Sequence, residues 1–130
     1  MEEILEPTTK ILLVEDDPMI QEMYKFRLEA ENYQVYITDK GSEALEYAER
    51  EKPSIVLLDI ILPETDGLSI LQTLKSNPET ASIPVLLLTN LGQESDRDRG
   101  REMGAADYFV KAEHTPSDVI YKIQQILLEQ

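Results

Sequence analysis

The chain contains no cysteine, a single histidine, and only 12 lysines and arginines against 26 aspartates and glutamates. Without cysteine there can be no disulfide, no thiolate metal site and no cysteine nucleophile. The lone histidine, His114, offers no catalytic triad and reads as a loop residue. Scarce bases and a formal net charge of -14 argue against direct binding of DNA or RNA, which needs clustered Lys and Arg to neutralise phosphates. The nearest such cluster, Arg97 to Arg101, is interleaved with Asp96, Asp98 and Glu102. No apolar run approaches the roughly 20 residues needed to cross a bilayer, and no charged-then-apolar signal opens the chain, so a cytoplasmic protein is expected. No Gly- or Ser/Thr-rich phosphate loop follows the first apolar run, which argues against a flavodoxin-like cofactor binder. Internal repeats, low-complexity tracts and a second domain are also missing.

What is present suits one folded domain. The 130 residues, 42% of them hydrophobic, can supply a core that buries roughly two-thirds of the unfolded surface. Residues 1–9 show no clear period and read as a flexible lead-in, leaving 10–130 as the domain. Apolar runs at 11–14, 54–58 and 84–88 read as strands covered on both faces. Gln34 to Thr38 alternates, as an edge strand does, and Tyr108-Phe109-Val110 forms a fifth run. Helical spacing appears between them: Ile20, Met23, Tyr24 and Leu28 after Pro18; Ala44, Leu45 and Ala48; Leu68, Leu71 and Leu74; and Val119, Ile120, Ile123, Ile126 and Leu127 after Pro116. Residues 94–103, highly charged with Gly100 inside, carry the weakest helical pattern. Strands alternating with helices predict an α/β fold: a doubly wound, five-stranded parallel sheet flanked by five helices.

The chemistry lies where the runs stop. The first ends in Glu15-Asp16-Asp17, the third in Asp59, the fourth in Thr89 and the fifth in Lys111. Ligands of open parallel sheets sit beyond the carboxyl ends of the strands where strand order reverses, which for five strands in the order 2-1-3-4-5, the order of the flavodoxin-like fold, lies between the first and third. Two carboxylates about 4 Å apart repel by roughly 4 kcal/mol at an effective dielectric of 20. Three clustered acids must therefore hold a proton or bind a cation. Hard oxygen ligands with no imidazole or thiolate select Mg²⁺ or a similar ion such as Mn²⁺. Asp17 reads as a helix cap instead.

The segments Ile-Leu-Leu-Val-Glu-Asp-Asp-Pro at 11–18, Leu-Leu-Asp-Ile-Ile-Leu-Pro-Glu-Thr-Asp-Gly at 57–67, Leu-Leu-Leu-Thr-Asn at 86–90 and Gly-Ala-Ala-Asp-Tyr-Phe-Val-Lys at 104–111 resemble, in this order, the CheY-like receiver domain of bacterial two-component response regulators. The resemblance covers residues 10–128 and carries the flavodoxin-like fold with it. It implies that Asp59 accepts a phosphoryl group from a histidine kinase or small phosphodonor, the only chemistry being the chain's own phosphorylation and dephosphorylation. It implies Mg²⁺ held by Asp16, Asp59 and the backbone carbonyl of Ile61, with Glu15 acting through water. Thr89 would bond the phosphoryl oxygen, Lys111 would pair with it, and Tyr108 would fill the space that Thr89 leaves. Expected partners are a sensor histidine kinase or phosphotransfer protein, a downstream protein on the face of the fourth helix, fifth strand and fifth helix, and a second copy in a homodimer. No membrane or nucleic-acid contact is implied.

The chain departs from the family at three places. Ala112 follows Lys111 where proline, often cis, is usual, and a non-proline cis bond costs about 2.5–4 kcal/mol. Apolar Ile61 follows two residues after Asp59, and Asn90 beside Thr89 is larger than the common Ala or Gly; together they imply a long-lived phosphoryl state. Two other readings compete. A pseudo-receiver would bind partners unphosphorylated. An aspartyl phosphatase would need a second acid where Ile61 stands.

Overall fold

The computed structural model describes residues 9–89, 94–111 and 114–129. Its elements alternate in chain order: β1 (Lys10–Val14), α1 (Pro18–Ala30), β2 (Gln34–Thr38), α2 (Gly41–Glu51), β3 (Ile55–Asp59), α3 (Gly67–Ser76), β4 (Val85–Thr89), α4 (Glu94–Glu102), β5 (Asp107–Val110) and α5 (Pro116–Leu128). All strand pairs are parallel and the sheet order is β2-β1-β3-β4-β5, the expected order 2-1-3-4-5. Residues 1–8 of the expected lead-in, Asn90, and Ala112 with its peptide bond to Lys111 lie outside the described residues.

Local chemistry sets the helix starts. Asp17 caps α1, its Oδ1 accepting from the Met19 N–H at 2.9 Å, and Pro18 costs nothing at the first helical position. Asp66 caps α3 in the same way through the Leu68 N–H at 3.0 Å. Thr115 and Asp118 form a reciprocal capping box ahead of α5. Asn32 and Lys52 adopt left-handed φ of 69° and 49° just past α1 and α2, where a helix commonly turns out.

Successive residues of each strand point to opposite layers. Leu12, Val14, Val56, Leu58, Val85 and Leu87 pack with Ala48, Leu68, Leu71 and Leu74 under α2 and α3. Ile11, Leu13, Ile55, Leu57, Leu86 and Leu88 pack with Tyr24 and Leu28 of α1 and with Val119, Ile123 and Ile126 of α5. Every residue of β3 and β4 is buried, which explains their unbroken apolar runs. The charged helix α4 is held close by a missing side chain: a Cβ on Gly100 would stand 2.5 Å from Leu87 Cδ1.

Candidate functional site

Pairing register converts the strand ends into a site. Val14 lies beside Leu58, so Glu15, one residue past β1, comes level with Asp59, the last residue of β3. Thr89 ends β4 next to Val110, and Lys111 follows β5 directly. A cavity of about 270 Å³ opens over this rim, lined by Glu15, Asp16, Asp17, Ile20, Asp59, Ile61, Thr89 and Lys111. Glu15, Asp59 and Thr89 are buried, while Asp16 is exposed. One oxygen from each of Glu15, Asp16 and Asp59 lies within 4.8 Å of the others, close enough for a single cation.

The lysine answers the acids in a way the sequence reading does not anticipate. The Lys111 ammonium donates to Glu15 Oε1 and, at 3.0 Å, to Asp59 Oδ2. The protein itself thus brings a positive charge to the acidic rim. Burial pulls the Lys111 pKa down, but the hydrogen bond to Glu15 and the charges of Asp59 and Glu15 outweigh it and raise it. Burial pushes the Glu15 carboxyl above the usual carboxylate range; bonds from Lys111 and the Asp17 N–H pull it back. Repulsion from Asp59 adds least of these influences on Glu15, so desolvation rather than mutual repulsion governs this acid.

Asp59 is held from behind by the loop that follows it. The Ile61 N–H donates to Asp59 Oδ1 at 3.1 Å, Ile61 bridges Asp66, and the Gly67 N–H donates to the Ile60 carbonyl at 2.7 Å. A Cβ on Gly67 would fall 2.1 Å from the Asp59 carbonyl oxygen, so only glycine permits α3 to start this close. Ile61 itself is 53% exposed at the cavity edge. Tyr108 is buried on β5 with the Arg97 guanidinium of α4 5.3 Å from its ring centre. Asp17 faces the cavity but serves as the α1 cap, and His114 stacks on Phe109 with ring centres 4.5 Å apart. The sequence reading missed Arg97 over Tyr108, as well as the Gln21 side chain, which donates to the Glu15 carbonyl at 2.5 Å. Neither carries a motif; both are contacts across elements.

Oxygen ligands for a hard cation, a buried hydroxyl and an ammonium around one carboxylate suit phosphoryl chemistry. The family model of the response regulator receiver domain matches residues 11–124. The chain belongs to this family.

The receiver domain is 34% identical over 120 residues to the transcriptional regulatory protein SrrA of Staphylococcus aureus, covering 92% of this chain and 48% of that protein. It thus spans about half the length of the curated relatives it matches. A CheY-like receiver domain protein from Methanospirillum hungatei JF-1 superposes with a TM-score of 0.87 at 28% identity, over 95% of this chain and 96% of that one. The BeF3-activated N-terminal receiver domain of Klebsiella pneumoniae RstA does so with a TM-score of 0.82 at 32% identity, over 92% and 98%. The receiver domain therefore belongs to bacterial two-component signalling. Among the described residues, no helix is long and apolar enough to cross a membrane.

Proposed function

We propose that this receiver domain, residues 10–130 after a lead-in of 1–9, accepts a phosphoryl group on Asp59 from a sensor histidine kinase or phosphotransfer protein. The observation that carries this reading is the joint grip of Lys111 on Glu15 and Asp59 in the cavity that also holds Asp16 and Thr89. The donor set fits Mg²⁺, or Mn²⁺, on Asp16, Asp59 and the Ile61 carbonyl, with Glu15 acting through water. When bound, the metal neutralises charge on the phosphoryl oxygens.

An Asp59 carboxylate oxygen attacks phosphorus in line as the donor's P–N bond breaks and the departing imidazole takes a proton. Lys111 is already within reach of Asp59 and passes its ammonium to the incoming phosphoryl oxygen. Thr89, buried on the neighbouring strand end, donates its hydroxyl to another. Movement of Thr89 makes room into which Tyr108 shifts, changing the face of α4, β5 and α5 where a downstream protein or a second copy binds. Ile61 at the cavity edge and Asn90, which follows Thr89 in the sequence, impede the hydrolytic water and prolong the phosphoryl state. Self-phosphorylation and its reversal are the only reactions assigned, in the cytoplasm where such kinases present their phosphohistidine. The BeF3 activation of the Klebsiella relative supports the reading by kinship.

Incubation with Mg²⁺ and acetyl phosphate, followed by intact mass, is expected to add one phosphoryl group to the wild type and none to Asp59→Ala. An unmodified wild type that still binds its partners would favour a pseudo-receiver instead.

A further inference from the structure

Glu15 and Asp16 follow the last residue of β1, and three hydrogen bonds fix the chain there. The Glu15 N–H donates to the Thr38 carbonyl on β2 at 3.0 Å, and the Asp17 N–H donates to Glu15 Oε2 at 3.0 Å. The Glu15 carbonyl is taken by the Nε2 of Gln21, in the first half of α1, at 2.5 Å. That same turn of helix is anchored because the Gln21 N–H donates to the Asp17 carbonyl at 2.9 Å. Gln21 thus reaches the acidic segment with its side-chain amide, from a helix whose first main-chain bond it makes to Asp17.

A peptide group is planar, so holding the Glu15 oxygen also orients the nitrogen and Cα of Asp16. Asp16 is exposed, with no side-chain hydrogen bond among the described residues, and its placement depends on that plane. We propose that Gln21 is a positioning residue: its side-chain amide sets the Glu15–Asp16 peptide plane and so aims Asp16 at the cation position shared with Asp59. This deepens the preceding reading and rests on it. Gln21 touches neither the cation nor the phosphoryl group; it acts through Asp16.

The test compares wild type with Gln21→Met, which keeps length and helix preference but has no donor, and Gln21→Lys, which restores one. Three quantities are read: amide hydrogen exchange at Asp17, whose N–H is held by Glu15 Oε2, without metal; the Mg²⁺ dissociation constant by calorimetry; and the acetyl phosphate reaction rate against Mg²⁺ concentration. Gln21→Met is expected to speed exchange at that amide and to weaken Mg²⁺ about tenfold, in the range found for groups that orient metal ligands. At saturating Mg²⁺ its rate returns to within about twofold of wild type, because the lost orientation is of the metal-binding acid rather than of the nucleophile. Gln21→Lys recovers slow exchange. Unchanged Mg²⁺ affinity in Gln21→Met overturns the proposal, whether or not its melting temperature falls. So does a Gln21→Lys protein that exchanges as fast as Gln21→Met. Wild-type protein that takes up no Mg²⁺ sinks the phosphoryl-acceptor reading itself, a result distinct from either of these.

Discussion

Lys111 shows how one side chain can tie the ends of three strands together. Its ammonium is almost enclosed, and it bonds two buried carboxylates. Replacing it with methionine leaves Glu15 and Asp59 facing each other with no cation, and removing one partner from a buried pair costs about 3–5 kcal/mol. Urea unfolding of Lys111→Met without divalent ions is expected to show a loss of that order, largely recovered when Mg²⁺ is added. A second residue-scale expectation concerns Tyr24, whose pKa is pushed up to about 12 by burial and then by the nearby Glu15 charge. A raised folded-state pKa means that its stabilisation is complete below pH 10 and is lost as pH climbs from 10 towards 12. The loss is on the order of 3 kcal/mol. Tyr24→Phe should flatten that part of the stability profile in urea titrations. Asp59, Glu15, Asp16, Thr89 and Lys111 were legible in the sequence because each closes an apolar run, and register alone then brings them to one rim. Gln21 and Arg97 were not, since nothing in a run of letters says which carbonyl an amide will meet or which ring a guanidinium will cover. The direction of Lys111 was half legible: its place at a strand end was evident, its capture by Glu15 was not.

The elements were easier to foresee than their ends. Pro18 and Pro116 announced α1 and α5, but the Thr115–Asp118 box went unread although its spacing is a familiar starting signal. Thr115→Ala should cost about 1 kcal/mol in urea unfolding, the usual worth of such a cap. Helix α4 was the hardest to read because charge dominates it and almost no apolar period survives. Its explanation is spatial: Gly100 lets the helix settle against Leu87. Gly100→Ala must displace that leucine, and overpacking of this kind costs about 1–3 kcal/mol. Calorimetric unfolding should register the loss, and a Leu87→Val partner substitution, which removes a methylene, should recover part of it. Since α4 carries Arg97 over Tyr108, the same substitution should also alter the tyrosine's ring signals in NMR spectra.

Over the whole molecule, the parallel sheet between two helical layers was the most secure inference from the alternation of strands and helices, while its strand order came with the family resemblance. The net charge of -14 has a separate consequence: self-repulsion opposes the compact state and salt screens it. The metal-free protein should therefore unfold at higher urea as sodium chloride rises to about 0.5 M, where screening is short-ranged. Mg²⁺ at a hundred times its dissociation constant should add about 2.7 kcal/mol by mass action alone. The ammonium of Lys111 starts at the far edge strand, β5, and its bonds end on β3 and just past β1, passing over β4. With strands roughly 4.8 Å apart, that is a tie-rod spanning most of the sheet's upper border. Whatever draws the two acids away unhitches the β5 end of the rod, so a change between the central strands is felt first at the molecule's outer flank.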